Sequence, residues 1–353
     1  MLTGNKGEWS ELYTLLKLLA DKKLYTASEN GTKQEDKYFP ILKIVRNSEL
    51  HYHLHNDPST VQIYVNGEQI QSIPCNRLSV EAKSLFNHIV EGNSAAFAIP
   101  STTGIMDELH LDRLAAPNTD KTDITMQLYD VQTGYDPVVG FSIKSDLGSP
   151  PTLLNASNAT NFIYRVDGIT DDQMTAINTI DGKTKIKDRM AAIESYGGKL
   201  VFDHMENSTF EANLMLIDSY MPQIISDLLL AHYQKNIKTI TELVDYLEET
   251  DPIKYPRKGY YAFKIRKLLC SIALGMVPAR EWDGHDEANG GYIIVTTNGD
   301  VLAYHIYNRD LFELYLEQNT KLERGSTKRY GTANLYKDND QIYTKLNLQI
   351  RFK

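Results

Sequence analysis

A chain of 353 residues, 42% hydrophobic and 24% charged, is ordinary globular material, long enough for one large core or for two domains. Its net charge of −9 excludes nucleic-acid recognition by bulk electrostatics alone, and no apolar run approaches the roughly 18 residues of a membrane span. The N-terminus carries acids where a signal peptide needs a basic start and an apolar block, and Cys75 and Cys270 form no CxxC pair; a soluble, cytoplasmic protein with reduced thiols is expected.

In chain order, the first element is a helix. Lys6 to Leu19, KGEWSELYTLLKLL, sets Leu12, Leu15, Leu16 and Leu19 at helical spacing, with Glu8 and Glu11 in the first turns. Acids there complement the helix dipole by about 0.3–1 kcal/mol each. Lys6-Gly7 followed by Glu11 also has the form in which the first helix of a nuclease core supplies a carboxylate. From about 36 to 75, KYFPILKIV, LHYHLH and TVQIYV are β-forming and Asn66-Gly67 marks a hairpin turn, which reads as a small β-rich insertion. His51, His53 and His55 alternate along one strand; no other ligand type is spaced to join them, so a half-exposed face is expected rather than a metal site. Ser79 to Val90 reads as the next helix, with no capping box to fix its start.

The segment richest in chemistry follows. In TDITMQLYD, Ile124, Met126 and Leu128 alternate with Thr125, Gln127 and Tyr129; Phe141 and Ile143 alternate in the same way with Ser142 and Lys144 in GFSIKS. The turn residues of VQTGYDPVVG lie between, so the whole reads as a β-hairpin. Ser142 and Lys144 then project from one face, and Asp123 meets them across the hairpin. A carboxylate, a hydroxyl and an ammonium on one spot suit metal-assisted phosphodiester hydrolysis: the acid holds Mg²⁺ beside the phosphate, and the lysine positions or deprotonates a water. The plainer reading is a turn acid and a solvated edge lysine.

Directly after this strand, SPPTLLNASNATNF is dense in small polar groups, among them Ser149, Thr152, Asn155 and Asn158. They suit phosphate binding or base-edge contacts; the structural alternative is a short helix opened by proline. From about Thr170 to Ala273 the pattern is mainly helical, interrupted by a strand from Leu200 to Met205. From Gly291 the period returns to two, with YIIVTTNGDVLAYHIY as a hairpin around Asn298-Gly299. Two acid-poor basic stretches stand out. Pro252 to Arg280 holds Lys254, Arg257, Lys258, Lys264, Arg266, Lys267 and Arg280 with no acid, and Lys321, Arg324, Lys328 and Arg329 are opposed only by Glu323. Each suits either a DNA-facing surface or a solvated face; Arg257, Arg324 and Arg329 lead as base readers, beside Lys258 and Lys328.

The hairpin and the first helix together resemble the PD-(D/E)xK nuclease superfamily. The run GFSIKSDLGSPPTLLNASNATNFIYRV, Gly140 to Val166, resembles the HpaII-type family of type II restriction endonucleases, as do the ends KGEWSELY and KLNLQIRF. The resemblance implies an α/β fold: a PD-(D/E)xK restriction-endonuclease-like core with a mixed sheet flanked by helices, plus helical and β-rich additions. It places the core in residues 1–168 with the insertion at about 36–75, and a helical then β-rich region in 169–353 that completes a DNA-binding cleft. It implies Mg²⁺-dependent cutting of double-stranded DNA at a short site, CCGG or a related one, to 5′-phosphate and 3′-hydroxyl ends, with a cognate DNA methyltransferase as genetic partner. Asp123 matches the metal-binding aspartate, Lys144 the lysine and Glu11 the helix-borne acid. Ser142 stands where the superfamily usually has Asp or Glu, so a carboxylate must come from elsewhere; Glu11 is the first choice, then Glu8, with Asp120, Asp136 and Asp146 behind. A homodimer matching a palindrome and a monomer acting on one strand at a time both stay open. A structure-specific nuclease of the same fold and a non-cutting DNA-binding protein are the alternatives.

Overall fold

The computed structural model describes residues 2–28, 31–54, 57–115, 122–131, 133–305 and 309–353. His55 and Asp120 lie outside the described residues. The chain divides into two compact units, Met1–Pro151 with Asp286–Phe312, and Thr152–His285 with Glu313–Lys353. Residues from the C-terminal half, Asp286–Phe312, thus belong to the first unit. Their apolar strands find hydrogen-bonding neighbours there that no local pattern announces.

The first unit is built on helix α1 (Lys6–Asp21). Asn5 opens it: its side chain accepts from the Glu8 N–H at 3.1 Å, and Glu8 Oε2 accepts from the Asn5 N–H at 2.7 Å. This reciprocal cap engages Glu8. Trp9, Leu12, Leu16 and Leu19 are at most 1% exposed, so the helix runs through the core. The following strands are β1 (Lys23–Ala27), β2 (Lys33–Val45), β3 (Leu50–His53), β4 (Thr60–Val65) and β5 (Glu68–Pro74). Asn66 and Gly67 both take positive φ, 52° and 83°, as the β4–β5 turn requires. Helix α2 (Cys75–Glu91) starts ahead of the expected Ser79, with Pro74 as its N-cap and no side-chain cap. Strands β6 (Ile124–Leu128) and β7 (Val138–Ser145) form the expected hairpin, and β8 (Gly291–Val295) and β9 (Val301–His305) complete the unit.

These nine strands form one mixed sheet among the described residues, in the order β1-β9-β8-β7-β6-β2-β3-β4-β5. Strands β7 and β8 are parallel, as are β9 and β1. The long β2 pairs by its first half with β1 and by its second half with β6 and β3, so the sheet curls back on itself. The segment around 36–75 is accordingly continuous with the central sheet and is not a module beside it. Phe141, Ile143, Ile293 and Val295 turn to the α1 side and join its core; Tyr292, buried on the other face, packs on Phe312 at 5.0 Å.

The second unit carries a four-stranded antiparallel sheet in the order Lys199–Met205, Asn161–Asp167, Gln341–Asn347, Leu335–Asp338. A three-stranded sheet orders Thr152–Leu154, Ile350–Phe352 and Thr320–Leu322. The helix Met221–Lys235 buries Ile224, Ile225, Leu228 and Leu229 to 1% exposure or less. No single helix among the described residues is long and apolar enough to cross a membrane. The same helix buries His232, whose Nδ1–H donates to the Ile237 carbonyl at 2.7 Å. Burial holds its imidazolium down, to a pKa of about 4. Since the unfolded value is near 6.5, the neutral ring contributes stability above that pH that is lost as pH falls towards 4. We expect the unfolding free energy to drop by about 3 kcal/mol across this window. In His232→Gln the drop should be much smaller; denaturant titrations at pH 7 and pH 4 give both values, and equal acid sensitivity would remove His232 as the cause.

Candidate active site

Strand β6 stops where β7 runs on. The register pairs Ile124 with Phe141, and the Asp123 N–H continues the ladder to the Phe141 carbonyl at 2.8 Å. At Ile143 the ladder gives way to a side chain: its N–H donates to Asp123 Oδ2 at 2.5 Å. Ser142, only 3% exposed, donates its hydroxyl to the same oxygen at 3.1 Å and accepts from Lys144 Nζ at 3.2 Å. A single hydroxyl has one proton and two lone pairs, so it can serve the carboxylate and the ammonium together. The result is a directed chain, Lys144 to Ser142 to Asp123. The structure thus brings the three hairpin residues together as the alternation of the strands requires.

Glu11 reaches the same end of the sheet from α1. Ser10, beside it, donates to the Lys6 carbonyl at 2.7 Å and bonds Ser145 Oγ at 2.8 Å, which pins the first turns of α1 to β7. A cavity of about 880 Å³ opens there, bordered by Glu8, Glu11, Lys144 and Ser149 together with Lys6 and Asn93. Glu11 approaches from the face of β7 that carries Ile143 and Ser145, whereas the Lys144 side chain leaves from the other. The other acids weighed for the missing carboxylate have different stations. Glu8 caps its helix, and Asp136 accepts from Gln127 Nε2 at 2.9 Å within the hairpin. Asp146 lies just past the end of β7, with its N–H donating to the Val295 carbonyl at 2.9 Å. No group of three or more His, Cys, Asp or Glu side chains gathers as a metal cage among the described residues.

A third contributor was not legible in the sequence. The loop before β8 staples both strands of the hairpin: Thr122 Oγ1 donates to the Glu287 carbonyl at 3.0 Å, the Gly140 N–H to Asn289 Oδ1 at 2.8 Å, and the Gly290 N–H to the Gly140 carbonyl at 2.7 Å. Approach this close needs glycine on both sides. A Cβ on Gly140 would lie 2.6 Å from Thr122, and one on Gly290 2.7 Å from the Phe141 ring. Strand β8 then lays Tyr292 beside Ser142, with its ring centroid 5.5 Å from Lys144 Nζ. The one sequence signal was Asn289-Gly290-Gly291 ahead of an apolar run, which marks a close backbone approach without saying to what.

The remaining expected contacts are spread more widely. Ser149 is exposed in the first unit, whereas Thr152, Asn155 and Asn158 belong to the second. No helix opened by proline forms there: Thr152–Leu154 is a strand and Asn158–Thr160 a single turn, with Asn155 and Asn158 exposed. The first basic stretch is acid-poor only along the chain. Lys264 pairs with Asp218, Arg266 with Glu317, and Lys267 with Glu313 at 2.6 Å, so the helix Tyr260–Leu274 is largely neutralised. The exposed cations of the stretch are Lys254, Arg257 and Lys258 on the loop before the helix, and Arg280 beyond it. That loop is firmly held. The Glu248 carboxylate accepts from the N–H groups of Gly259, Tyr261 and Ala262, and Asp251 from the Tyr255 N–H and the Tyr261 hydroxyl. Arg324 turns inward, donating to Asn236 Oδ1 at 3.1 Å with its guanidinium 5.8 Å from the Tyr233 ring centroid, whereas Lys328 and Arg329 are exposed.

Comparison with known proteins gives this geometry its setting. A sequence model of the HpaII restriction endonuclease family matches residues 5–352. The type II restriction enzyme HpaII of Haemophilus parainfluenzae is 38% identical over 360 residues, covering 99% of this chain and 98% of the relative. No solved structure matches the chain. The sequence matches define a type II restriction endonuclease, a site-specific deoxyribonuclease of restriction–modification systems. Within that class the chain belongs to the HpaII restriction endonuclease family.

Proposed function

We propose that the enzyme hydrolyses double-stranded DNA with Mg²⁺ at a short defined site, CCGG or a close relative, through a PD-(D/E)xK-type centre made by Asp123, Ser142, Lys144 and Glu11. The observation that carries this reading is the directed chain from Lys144 through Ser142 to Asp123 at the point where β6 ends and β7 continues. Asp123 would hold the ion, with Glu11, which reaches the same strand from the other face of β7, as the candidate second carboxylate. Two carboxylates suit Mg²⁺, which binds through one or two protein acids and completes its shell with water and phosphate oxygens. Bound there, the ion polarises the phosphoryl oxygen and acidifies a water.

The chain's own residues do the rest. Asp123 is fixed by the Ile143 N–H and the Ser142 hydroxyl, so its orientation does not depend on the substrate. Ser142 does not replace the acid usual at its position; it ties Lys144 to Asp123. Lys144 faces the attacking water and the phosphate charge. Attack of the water oxygen on phosphorus breaks the bond to the 3′ oxygen, leaving a 5′-phosphate and a 3′-hydroxyl. Arg257, Lys258, Lys328 and Arg329 lie along the DNA backbone or its base edges, with Ser149, Thr152, Asn155 and Asn158 as neutral contacts. Arg324 supports its loop in this reading, because its guanidinium is already engaged. A homodimer on a palindromic site and a cognate methyltransferase protecting that site complete the proposal.

Incubation with mixed genomic DNA, with Mg²⁺ or with EDTA, tests the reading. Discrete fragments in Mg²⁺ alone support it; cleavage confined to branched DNA, or retardation without cutting, would replace it.

A further inference from the structure

We infer that Tyr292 is a positioning residue for cleavage, its aromatic face serving as the platform that holds the Lys144 ammonium on Ser142. The inference rests on the role given to Lys144 above. Lys144 is a long, flexible side chain, and a hydrogen bond to one hydroxyl at 3.2 Å fixes a distance without fixing a direction. The second constraint comes from β8. Its register sets Tyr292 beside Ser142, and the ring centroid lies 5.5 Å from Nζ, within the range at which an aromatic face attracts an ammonium. The ring itself cannot drift. Tyr292 is 2% exposed, packs on Phe312 at 5.0 Å with a 57° interplanar angle, and lies in a strand whose entry is stapled to Gly140 by Asn289 and Gly290. Lys144 is therefore held between an oxygen acceptor on its own strand and a negative ring face on the next.

This assigns to the Asp286–Gly290 loop and β8 a task in the reaction: they carry the ring that aims the lysine. A merely structural tyrosine would contribute only volume and apolar area. Three substitutions separate the two roles, each read by single-turnover cleavage in Mg²⁺ and by DNA affinity without divalent ion. Tyr292→Phe keeps the ring and should cut within about two-fold of the parent enzyme. Pentafluorophenylalanine at position 292 keeps the shape but reverses the ring quadrupole; it should lower the cleavage rate about ten-fold with DNA affinity and thermal midpoint unchanged. Tyr292→Leu should lose at least as much rate. If the fluorinated ring cuts as fast as Phe, or if rate falls only together with affinity and thermal midpoint, the assignment to Tyr292 is overturned. Lys144→Ala assayed in parallel keeps the two readings apart. Full activity in that variant would remove the role of Lys144 itself, whatever the ring does.

Discussion

Alanine at Asp123 or at Lys144 is expected to lower the single-turnover cleavage rate by about 10²–10⁴ or more, while affinity for the cognate duplex stays within a few-fold. The aspartate immediately precedes β6 and is oriented by the Ile143 N–H and the Ser142 hydroxyl, and the lysine is the other end of the same hydrogen-bonded chain. In the proposed reaction both would act on the reacting phosphate, apart from the exposed cations Arg257, Lys258, Lys328 and Arg329 that would bear the DNA backbone. Rates are read in Mg²⁺ and affinities without divalent ion. Cutting at near the parental rate by either variant would move the active site elsewhere.

Glu11→Gln is expected to cost more than Ser142→Ala, by an order of magnitude or more, on the scale of removing a metal-binding charge against removing a neutral orienting bond. Glu8 and Glu11 both border the cavity shared with Lys144, and Glu8 also caps the helix, so Glu11 is the first choice for the second carboxylate. Loss of the Ser142 hydroxyl leaves Asp123 with its Ile143 bond and Lys144 with the Tyr292 ring. Raising the Mg²⁺ concentration should recover part of the Glu11→Gln loss and none of the Ser142→Ala loss. The reverse order would mean that Glu11 is a helix-start residue and that the hydroxyl carries the weight.

What was legible in the sequence is what local periodicity controls. The hairpin of Asp123, Ser142 and Lys144 followed from period two on two strands joined by one turn, and α1 from its leucine spacing. What escaped depends on chain segments far apart. Strand β8 joins the nine-stranded sheet beside β7, and β9 beside β8, yet nothing in YIIV says which strand it will pair with. The cations of the helix Tyr260–Leu274 looked unopposed because Asp218, Glu313 and Glu317 lie more than forty positions away in the sequence. The segment around 36–75 read as an insertion because β2 is long enough to pair with three neighbours, and alternation cannot count them. Helix α2 lacks a side-chain cap, so its start carried no local mark.

The most direct test of the central claim is to sequence both ends of every fragment the enzyme makes from genomic DNA in Mg²⁺. One short sequence spanning all cuts is expected, with 5′-phosphate and 3′-hydroxyl termini throughout and no fragments from the Asp123→Ala enzyme under the same conditions. Cuts scattered over unrelated sequences, 3′-phosphate termini, or the same fragments from Asp123→Ala would contradict the claim.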